Sequence, residues 1–565
     1  MKKILLIGLN AKYSHTNPAI RSLAQYAARE EVELREYTIN EPIERVAEEL
    51  SALGAAVYGF SSYIWNIEYI RALAGKMPGK VLLGGPEASA APEEYLAFSD
   101  YILKGEGEES FRVFADKLIR GEDVRKTPGL CYKKDGIYYE NPPAPAVELA
   151  ALPQPYGDLS RLKGRLVYYE SSRGCPFSCA YCMSSLSGGV RFAPVEKVKK
   201  DLDAFVAAGV MKVKFVDRTF NADRARAREI FAHVIRYGGQ TEFHFEIAAD
   251  LLDEPTCALL ATAPPGRIQL EIGVQSTFAP TLAAIERVQD FSYTARMVRR
   301  LAAGKNLHLH VDLIAGLPLE GMEQFCRSID DVMALGAEKM QLGFLKVLKG
   351  SKMRELAGKY GIEYCKKAPY EVRATAQLSP EEVQLLHKVE YLLERTYNSG
   401  LFRQTVDYFG KTQGYASFYL ALCAQLAQKG TVAEMLTERA LALELLEYCS
   451  QKGGFSLEFL RLDLLLKNRR PQLPAALEQP APWKRKLFSE LPPGLLENLP
   501  QGKRPWHYAR LEEFSFDVCA YLREGILHKK QGRYLFDYTG AAVQNIKTGE
   551  RESFDRAFPL PPKRK

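Results

Sequence analysis

The chain has 565 residues, of which 47% are hydrophobic and 26% charged, and a formal net charge of +7. At roughly 100 to 200 residues per domain this length is a prior for about three domains, the apolar fraction excludes a disordered chain, and 42 glycines without a three-residue period exclude a collagen-like one. The mild positive charge permits an acidic or nucleic-acid partner without requiring one.

Met1–Leu9 carries two lysines and a short apolar run, but Asn10 and Lys12 end it too early for a secretory signal, so it reads as a buried first strand. No apolar run approaches about 18 residues, which leaves no transmembrane helix to expect. The expected setting is a soluble, reducing cytoplasm, where clustered cysteines are metal ligands before they are disulfides.

From Lys3 to about Leu130 the apolar runs Ile4–Gly8, Val32–Thr38, Ala55–Phe60, Val81–Leu83 and Tyr101–Leu103 alternate with the helical patterns Pro18–Arg29, Pro42–Leu53 and Ile67–Lys76. This predicts an α/β, doubly wound parallel sheet over residues 1–133, with ligands met by the loops Asn10–Asn17, Ser61–Asn66, Gly84–Ser89 and Gly105–Glu108 at the strands' carboxyl ends. Residues 134–160, proline-rich and aperiodic from Asn141 to Tyr156, read as a linker.

A second series over 161–370 has strands near Leu166–Glu170, Val213–Val216, Phe243–Ile247, Ile268–Gly273, His308–Ile314 and Met340–Lys346. Six such units predict a partial, TIM-like (β/α)6 barrel with its chemistry at the strands' carboxyl ends. Residues 371–565 read as mostly helical, opening on Ser379-Pro380-Glu381-Glu382 and carrying one strand near Arg533–Thr539.

Ten cysteines are too sparse for a disulfide scaffold, so spacing decides their meaning. Cys175, Cys179 and Cys182 fall on one loop, Cys175-Pro176-Phe177-Ser178-Cys179-Ala180-Tyr181-Cys182, directly after the first barrel strand. Three thiolates can hold three irons of a [4Fe–4S] cube and leave the fourth open. The alternatives are three buried thiols or a zinc site, which would want a fourth ligand, and the next Cys or His along the chain is His233. Cys131, Cys257, Cys326, Cys365, Cys423, Cys449 and Cys519 form no close pair.

The cysteine motif, with an aromatic before its last member, resembles the radical S-adenosylmethionine (SAM) superfamily. Phe215-Val216-Asp217-Arg218-Thr219-Phe220-Asn221, Leu270–Ser276, Asp312–Pro318 and Lys349-Gly350-Ser351 resemble its strand-end segments. The resemblance implies that SAM chelates the open iron and is cleaved by one electron to methionine and a 5′-deoxyadenosyl radical. Beside Tyr181, Glu246 and Glu271 offer bonds to ribose hydroxyls or the ammonium, and Gln275 and Ser276 to the methionine carboxylate. Asp217 either orients a ligand or caps the helix beginning near Asn221.

The first domain resembles the cobalamin-binding domain that precedes many radical SAM barrels. The resemblance places corrin contacts on Asn10, Lys12, Tyr13, Ser14, His15, Asn17, Ser61, Ser62, Tyr63, Gly84, Gly85, Glu87, Gly105, Glu106, Gly107 and Glu108. A doubly wound domain for another nucleotide is the alternative, although no Gly-x-Gly-x-x-Gly follows the first strand. His15 lacks the Asp-x-His-x-x-Gly context of a histidine that ligates cobalt, so base-off cobalamin without a histidine ligand is expected.

The chain beyond about Pro369 resembles the C-terminal region of a subgroup of cobalamin-dependent radical SAM proteins. Lys484-Arg485-Lys486 and Lys529–Arg533 read as solvated surface, and Trp506, His507, Tyr534 and Phe536 as packing residues. The function implied is a methyltransferase acting at an unactivated carbon of a small molecule or peptide, served by an electron donor such as flavodoxin or ferredoxin, with neither membrane nor nucleic acid as partner. The rivals are a cobalamin-dependent rearrangement or cyclisation, a methylthiotransferase acting on RNA, which would need three more cysteines in a first domain that has none before Cys131, and a cobalamin carrier without catalysis.

Overall fold

The structure, a computed structural model, describes residues 3–184, 188–467, 473–479, 484, 487–488, 491 and 508–553. The first sheet has strands β1 (Ile4–Asn10), β2 (Val32–Thr38), β3 (Val57–Ser61), β4 (Lys80–Gly84), β5 (Tyr101–Leu103), β6 (Leu130–Lys134) and β7 (Ile137–Glu140), ordered β2-β1-β3-β4-β5-β6-β7. β1 to β5 pair in parallel, and β6 and β7 extend the edge antiparallel. Every position of β1 and β3 is buried, as expected of strands covered on both faces. Helices α1 (Pro18–Ala27), α2 (Ile43–Ala52), α3 (Ile67–Ala74), α4 (Pro86–Ala90), α5 (Pro92–Tyr95) and α6 (Glu108–Arg120) supply the cover. β2 and β3 flank β1 on opposite sides, so the loops after β1 and β3 meet at a topological switch point.

The sheet runs past residue 133, where the sequence reading began a linker. Asp135 and Gly136, at φ 52° and 79°, make the tight two-residue turn that twists β7 back onto β6. Asp-Gly between two apolar-rich runs was the available signal.

The second series opens on β8 (Leu166–Tyr169) and a hairpin of β9 (Ser172–Cys175) and β10 (Gly189–Phe192). β11 (Lys212–Phe215), β12 (Glu242–Ile247), β13 (Ile268–Gln275), β14 (His308–Ala315) and β15 (Lys339–Phe344) complete a six-stranded sheet ordered β15-β14-β13-β12-β11-β8. Helices α7 (Val195–Ala207), α8 (Arg224–Tyr237), α9 (Glu254–Leu260), α10 (Ala279–Ala284), α11 (Phe291–Ala303), α12 (Met322–Met333) and α13 (Lys352–Leu356) alternate with them. The side chains on one face of each strand form the core, where Phe245 packs on Phe215, Phe220 and Phe231 with ring centroids 4.4–5.0 Å apart. The alternate positions, Lys214, His244, Glu246, Glu271 and Asp312, share the other face, which is polar.

Met1–Phe325, Leu335–Glu338 and Leu342–Val383 make one compact unit, which holds the first sheet and barrel strands β8 to β14, and Cys326–Ala334, Lys339–Gln341 and Gln384–Lys565 make a second. The second contains α14 (Pro380–Leu393) from Gln384 onward, α15 (Arg403–Gln413), α16 (Tyr415–Gln428), α17 (Glu438–Lys452), α18 (Ser456–Lys467) and α19 (Val518–Glu524). The reciprocal bonds Glu382 N to Ser379 Oγ at 3.2 Å and Ser379 N to Glu382 Oε2 at 2.8 Å start α14 with the capping box its sequence announces. Where the sequence reading had one strand, the described residues form four, at Ala509–Phe514, Gly532–Asp537, Ala542–Asn545 and Arg551–Ser553, in one antiparallel sheet. Tyr534 and Phe536 are fully buried in it, and Lys529, Lys530 and Arg533 are exposed. Arg485, Lys486, Trp506 and His507 lie outside the described residues. Among the described residues no helix is long and apolar enough to cross a membrane.

Candidate functional site

Cys175 closes β9, and Cys179 and Cys182 follow in the loop, joined by a bond from Cys182 N to Cys179 O at 3.0 Å. Ala180 straps the loop down: its N–H donates to Ile285 O at 2.9 Å, and its carbonyl accepts from Met353 N at 2.7 Å. The Cys175 thiol lies 3.4 Å from Thr219 Oγ1. Burial raises the Cys179 thiol above its ordinary value, and the Arg287 guanidinium, 3.8 Å from Sγ, opposes the rise. Arg287 also reaches Tyr181 Oη at 3.5 Å and the Gly273 carbonyl, so it ties the loop to β13. Nothing in the sequence around Arg287 marks it; only the fold brings it to the thiols.

All ten cysteines are free thiols. Among the described residues no three His, Cys, Asp or Glu side chains gather as they would around a single metal ion. A [4Fe–4S] cube takes its thiolates on separate irons, and three cysteines on one loop beside a fixed cation are the donor set such a cube uses.

Glu246 on β12 and Glu271 on β13 are register partners, and Asp312 on β14 lies across from Gly273. Glu271 accepts from His244 Nε2 at 2.7 Å and Lys214 Nζ at 3.2 Å. Burial pulls its carboxyl upward, but these two partners outweigh that and hold it down at about 2. Glu246 has no such partner, and burial together with the Glu271 charge pushes it up to about 7. Burial and then the charges of Glu271 and Glu246 push Asp312 well above the carboxylate range, and its Oδ1 is buried without a hydrogen bond. The three acids thus hold acceptor capacity that a hydroxyl or ammonium would satisfy. The sequence reading named Glu246 and Glu271 and carried Asp312 only within a strand-end segment.

Asp217 departs from its expected roles. It is fully buried and accepts from Ser171 N at 2.7 Å, Ser171 Oγ at 2.6 Å and Ser172 Oγ at 2.6 Å, so its oxygens brace the start of β9. The nearby helix cap is Asp223, which accepts from Arg226 N at 3.0 Å. Ser276 is also buried, donating to Glu320 Oε1 at 2.7 Å and capping Phe278 N at 3.0 Å. Gln275 follows a bulge in β13 at φ 70° and keeps part of its surface accessible.

The loops of the first sheet divide into residues that hold the loops and residues that face outward. Asn17 caps α1 at Ile20 N, 3.2 Å, and donates to Ser61 Oγ at 2.8 Å. Asn10 donates to His15 O at 3.1 Å, and Ser62 donates to Gly84 O at 2.7 Å. Glu87 is buried and accepts from Tyr95 and Tyr370, while Lys349 bonds Tyr95 Oη and Glu94, each at 2.7 Å. Glu106 and Glu108 point at Arg173, at 3.0 and 2.8 Å. The carboxylates Glu87, Glu106 and Glu108 are thus each already engaged by donors of the chain itself. What remains open is Lys12, Tyr13, Ser14, the Gly105 backbone with no atom within 4 Å of where a Cβ would stand, and a plate of Tyr63 stacked on Trp65 at 4.2 Å and 7°. Gly84 leads into Gly85, held at φ 96°, and Gly107 precedes α6. His15 sets its ring edge-on against Tyr168 at 5.8 Å, and burial, Lys12 and Lys214 lower its pKa. An accessible edge of backbone, small polar groups and an aromatic plate fits a large amide-rimmed ring.

Three family models match the chain: a B12 binding domain over residues 4–115, the radical SAM superfamily over 169–332, and a protein family of unknown function, DUF4080, over 358–536. An uncharacterized methyltransferase of Pyrococcus horikoshii is 32% identical over 171 residues, covering 28% of this chain and 37% of the relative. The cobalamin-dependent radical SAM methyltransferase TokK of Streptomyces tokunonensis is 25% identical over 405 residues, 65% of this chain and 59% of the relative. This chain thus spans less than two thirds of the length of either relative. The radical SAM methyltransferase TsrM of Kitasatospora setae, solved with tryptophan and a SAM analogue, superposes with a TM-score of 0.55 at 18% identity over 66% of this chain and 80% of that one, a likeness of fold.

Proposed function

We propose that this chain, a radical SAM protein with a B12-binding domain ahead of its barrel, is a cobalamin-dependent methyltransferase that places a methyl group on an unactivated carbon. The observation that carries the reading is the joining of both chemistries in one compact unit: Arg173, two residues before Cys175, bonds Glu106 and Glu108 of the corrin-side loop. Relatives named as methyltransferases, one of them cobalamin-dependent, support it. When bound, the cluster supplies the electron that cleaves SAM, and the corrin carries the methyl group.

The chain's own residues hold and orient these partners. Cys175, Cys179 and Cys182 hold three irons, Arg287 offsets the charge on the thiolates, and Glu246, Glu271 and Asp312 accept from the ribose hydroxyls and ammonium of SAM. Gln275 is the residue we assign to its carboxylate end, and Lys12, Tyr13, Ser14, Tyr63 and the backbone of Gly84, Gly85, Gly105 and Gly107 to the corrin. His15, packed on Tyr168, is given no place on the cobalt, and the corrin would be held base-off; nitrogen hyperfine splitting in the cobalt spin-resonance spectrum, from a protein imidazole or from the corrin's own base, would contradict this. Fixing the reactants side by side makes their encounter effectively unimolecular. We place the enzyme in the cytoplasm, acting on a small molecule or peptide with a flavodoxin or ferredoxin as electron donor.

The test is anaerobic reconstitution with iron, sulfide and cobalamin, then incubation of cell extract with SAM carrying a deuterated methyl group. A product that gains the labelled methyl supports the reading. SAM cleavage accompanied only by unlabelled new products would replace it with a rearrangement or cyclisation.

A further inference from the structure

We propose that Glu106 is a positioning residue through which the corrin-binding sheet sets the cluster hairpin, by way of Arg173 and Arg191. The inference rests on the function proposed above. In the β9/β10 hairpin Arg191 stands directly opposite Arg173, and opposed residues share a face. Cys175, two residues beyond Arg173, falls on that same face about 7 Å farther along the strand.

Onto this face come carboxylates of the first sheet's last ligand loop. One oxygen of Glu106 accepts from Arg173 Nη1 at 3.0 Å, and the other accepts from Arg191 Nη2. Glu108 accepts from Arg173 Nη2 at 2.8 Å and from Nη1 at 3.3 Å, and Glu170 accepts from Arg173 Nε at 3.1 Å and Nη2 at 2.7 Å. Arg191 is anchored a second time on Val147 O at 3.0 Å. A single carboxylate therefore grips both strands of the hairpin that presents the first cluster cysteine.

The bridge is enclosed at its Arg173 end and partly open at Arg191, where the Arg191 and Glu106 side chains are 41% and 33% exposed. The side chains of Arg173 and Glu108 are 18% and 7% exposed, and ion pairs so enclosed are costly to break from one side. Burial raises the Glu108 carboxyl, but Arg173 outweighs it and holds the group below its ordinary value. Glu106 follows Gly105, held at φ 82° on the loop that would lie against the corrin. A shift of that loop on corrin binding therefore moves both arginines, and by linkage a cluster that fixes the hairpin favours one loop position.

The full-length protein tests this with hydroxocobalamin as the probe, its affinity measured by absorbance titration with the cluster reconstituted and again after iron chelation. Wild type is expected to bind at least about fivefold more tightly with the cluster present, the lower end of couplings between distinct sites. Glu106→Gln keeps the side-chain size and removes the shared charge; the ratio should fall toward one while the chelated form keeps its affinity within about twofold. Glu106→Asp should restore part of the ratio. Equal loss of affinity in both preparations would mean that Glu106 touches the corrin or merely supports the fold, and it would overturn the inference, as would an unchanged ratio. Wild-type protein that binds corrin in neither preparation would overturn the proposed function and this inference together, whereas corrin binding and SAM cleavage with an unchanged ratio in Glu106→Gln overturn the coupling alone.

Discussion

Glu246 and Glu271 stand in register on adjacent parallel strands, and only Glu271 makes an ion pair. His244 and Lys214 hold Glu271 as an anion, and burial, reinforced by that anion, keeps a proton on Glu246 up to about pH 7. The folded chain thus binds this proton more tightly than the unfolded chain. The associated stability is fully present below about pH 4.5 and is lost as pH rises through about 7. Replacing Glu246 by Gln removes this loss. The stability of Glu246→Gln relative to wild type should rise between pH 5 and pH 8 by about 1 to 3 kcal/mol, read from denaturant unfolding of the metal-free protein. A difference independent of pH would show that Glu246 titrates normally.

Cys179→Ala should abolish cluster iron and 5′-deoxyadenosine formation together, because two thiolates cannot hold the cube in place. Iron content and product chromatography read both quantities. Retained SAM cleavage would overturn the cluster assignment.

Arg287 donates toward Cys179 and Tyr181 without being a ligand. A cation at this distance stabilises the more negative, reduced cluster. Arg287→Gln should keep the iron content and lower the cluster's reduction potential by about 60 mV, a factor of ten in the one-electron equilibrium. Redox titration followed by spin resonance measures it, and an unmoved potential would assign Arg287 to loop packing alone.

Gly85 sits at φ 96°, and a Cβ there would come within 2.6 Å of the Ser62 carbonyl oxygen. Gly85→Ala should therefore destabilise the first sheet's ligand edge by about 1 to 3 kcal/mol and weaken corrin retention while leaving cluster iron in place. Thermal unfolding and the corrin absorbance of purified protein give the two readings.

In the second unit, Asp463 is buried and pushed up to about 8 by burial, even though it accepts from Gln404 N at 2.9 Å, Thr405 N at 2.8 Å and Thr405 Oγ1 at 2.7 Å at the start of α15. Asp463→Ala strands those donors and should cost about 1 to 3 kcal/mol. Asp463→Asn, which keeps an acceptor, should cost less and should remove the loss of stability that wild type shows as pH rises from 3.8 through about 8. Denaturant midpoints at pH 6 and pH 9 distinguish these outcomes.

The sequence by itself determined the strand and helix series of the first sheet and the barrel, because both rest on local periodicity, and it determined the three-cysteine loop, because its ligands are neighbours along the chain. It missed β6 and β7, whose two-residue Asp-Gly turn lay inside a stretch read as linker, the β9/β10 hairpin, and three strands of the C-terminal sheet, whose short segments gain their stability from pairing partners up to about 30 residues away. The tertiary structure decided which polar side chains are available. Asp217, Ser276, Glu87, Glu106 and Glu108 carry the residue types a ligand needs, yet each is engaged by a partner that no local pattern announces: Ser171 for Asp217, Glu320 for Ser276, Tyr370 for Glu87, Arg173 for Glu106 and Glu108. Asp312 and Arg287 entered the site for the converse reason. A buried polar group must find its hydrogen bonds in three dimensions, and sequence spacing records the group but not the partner.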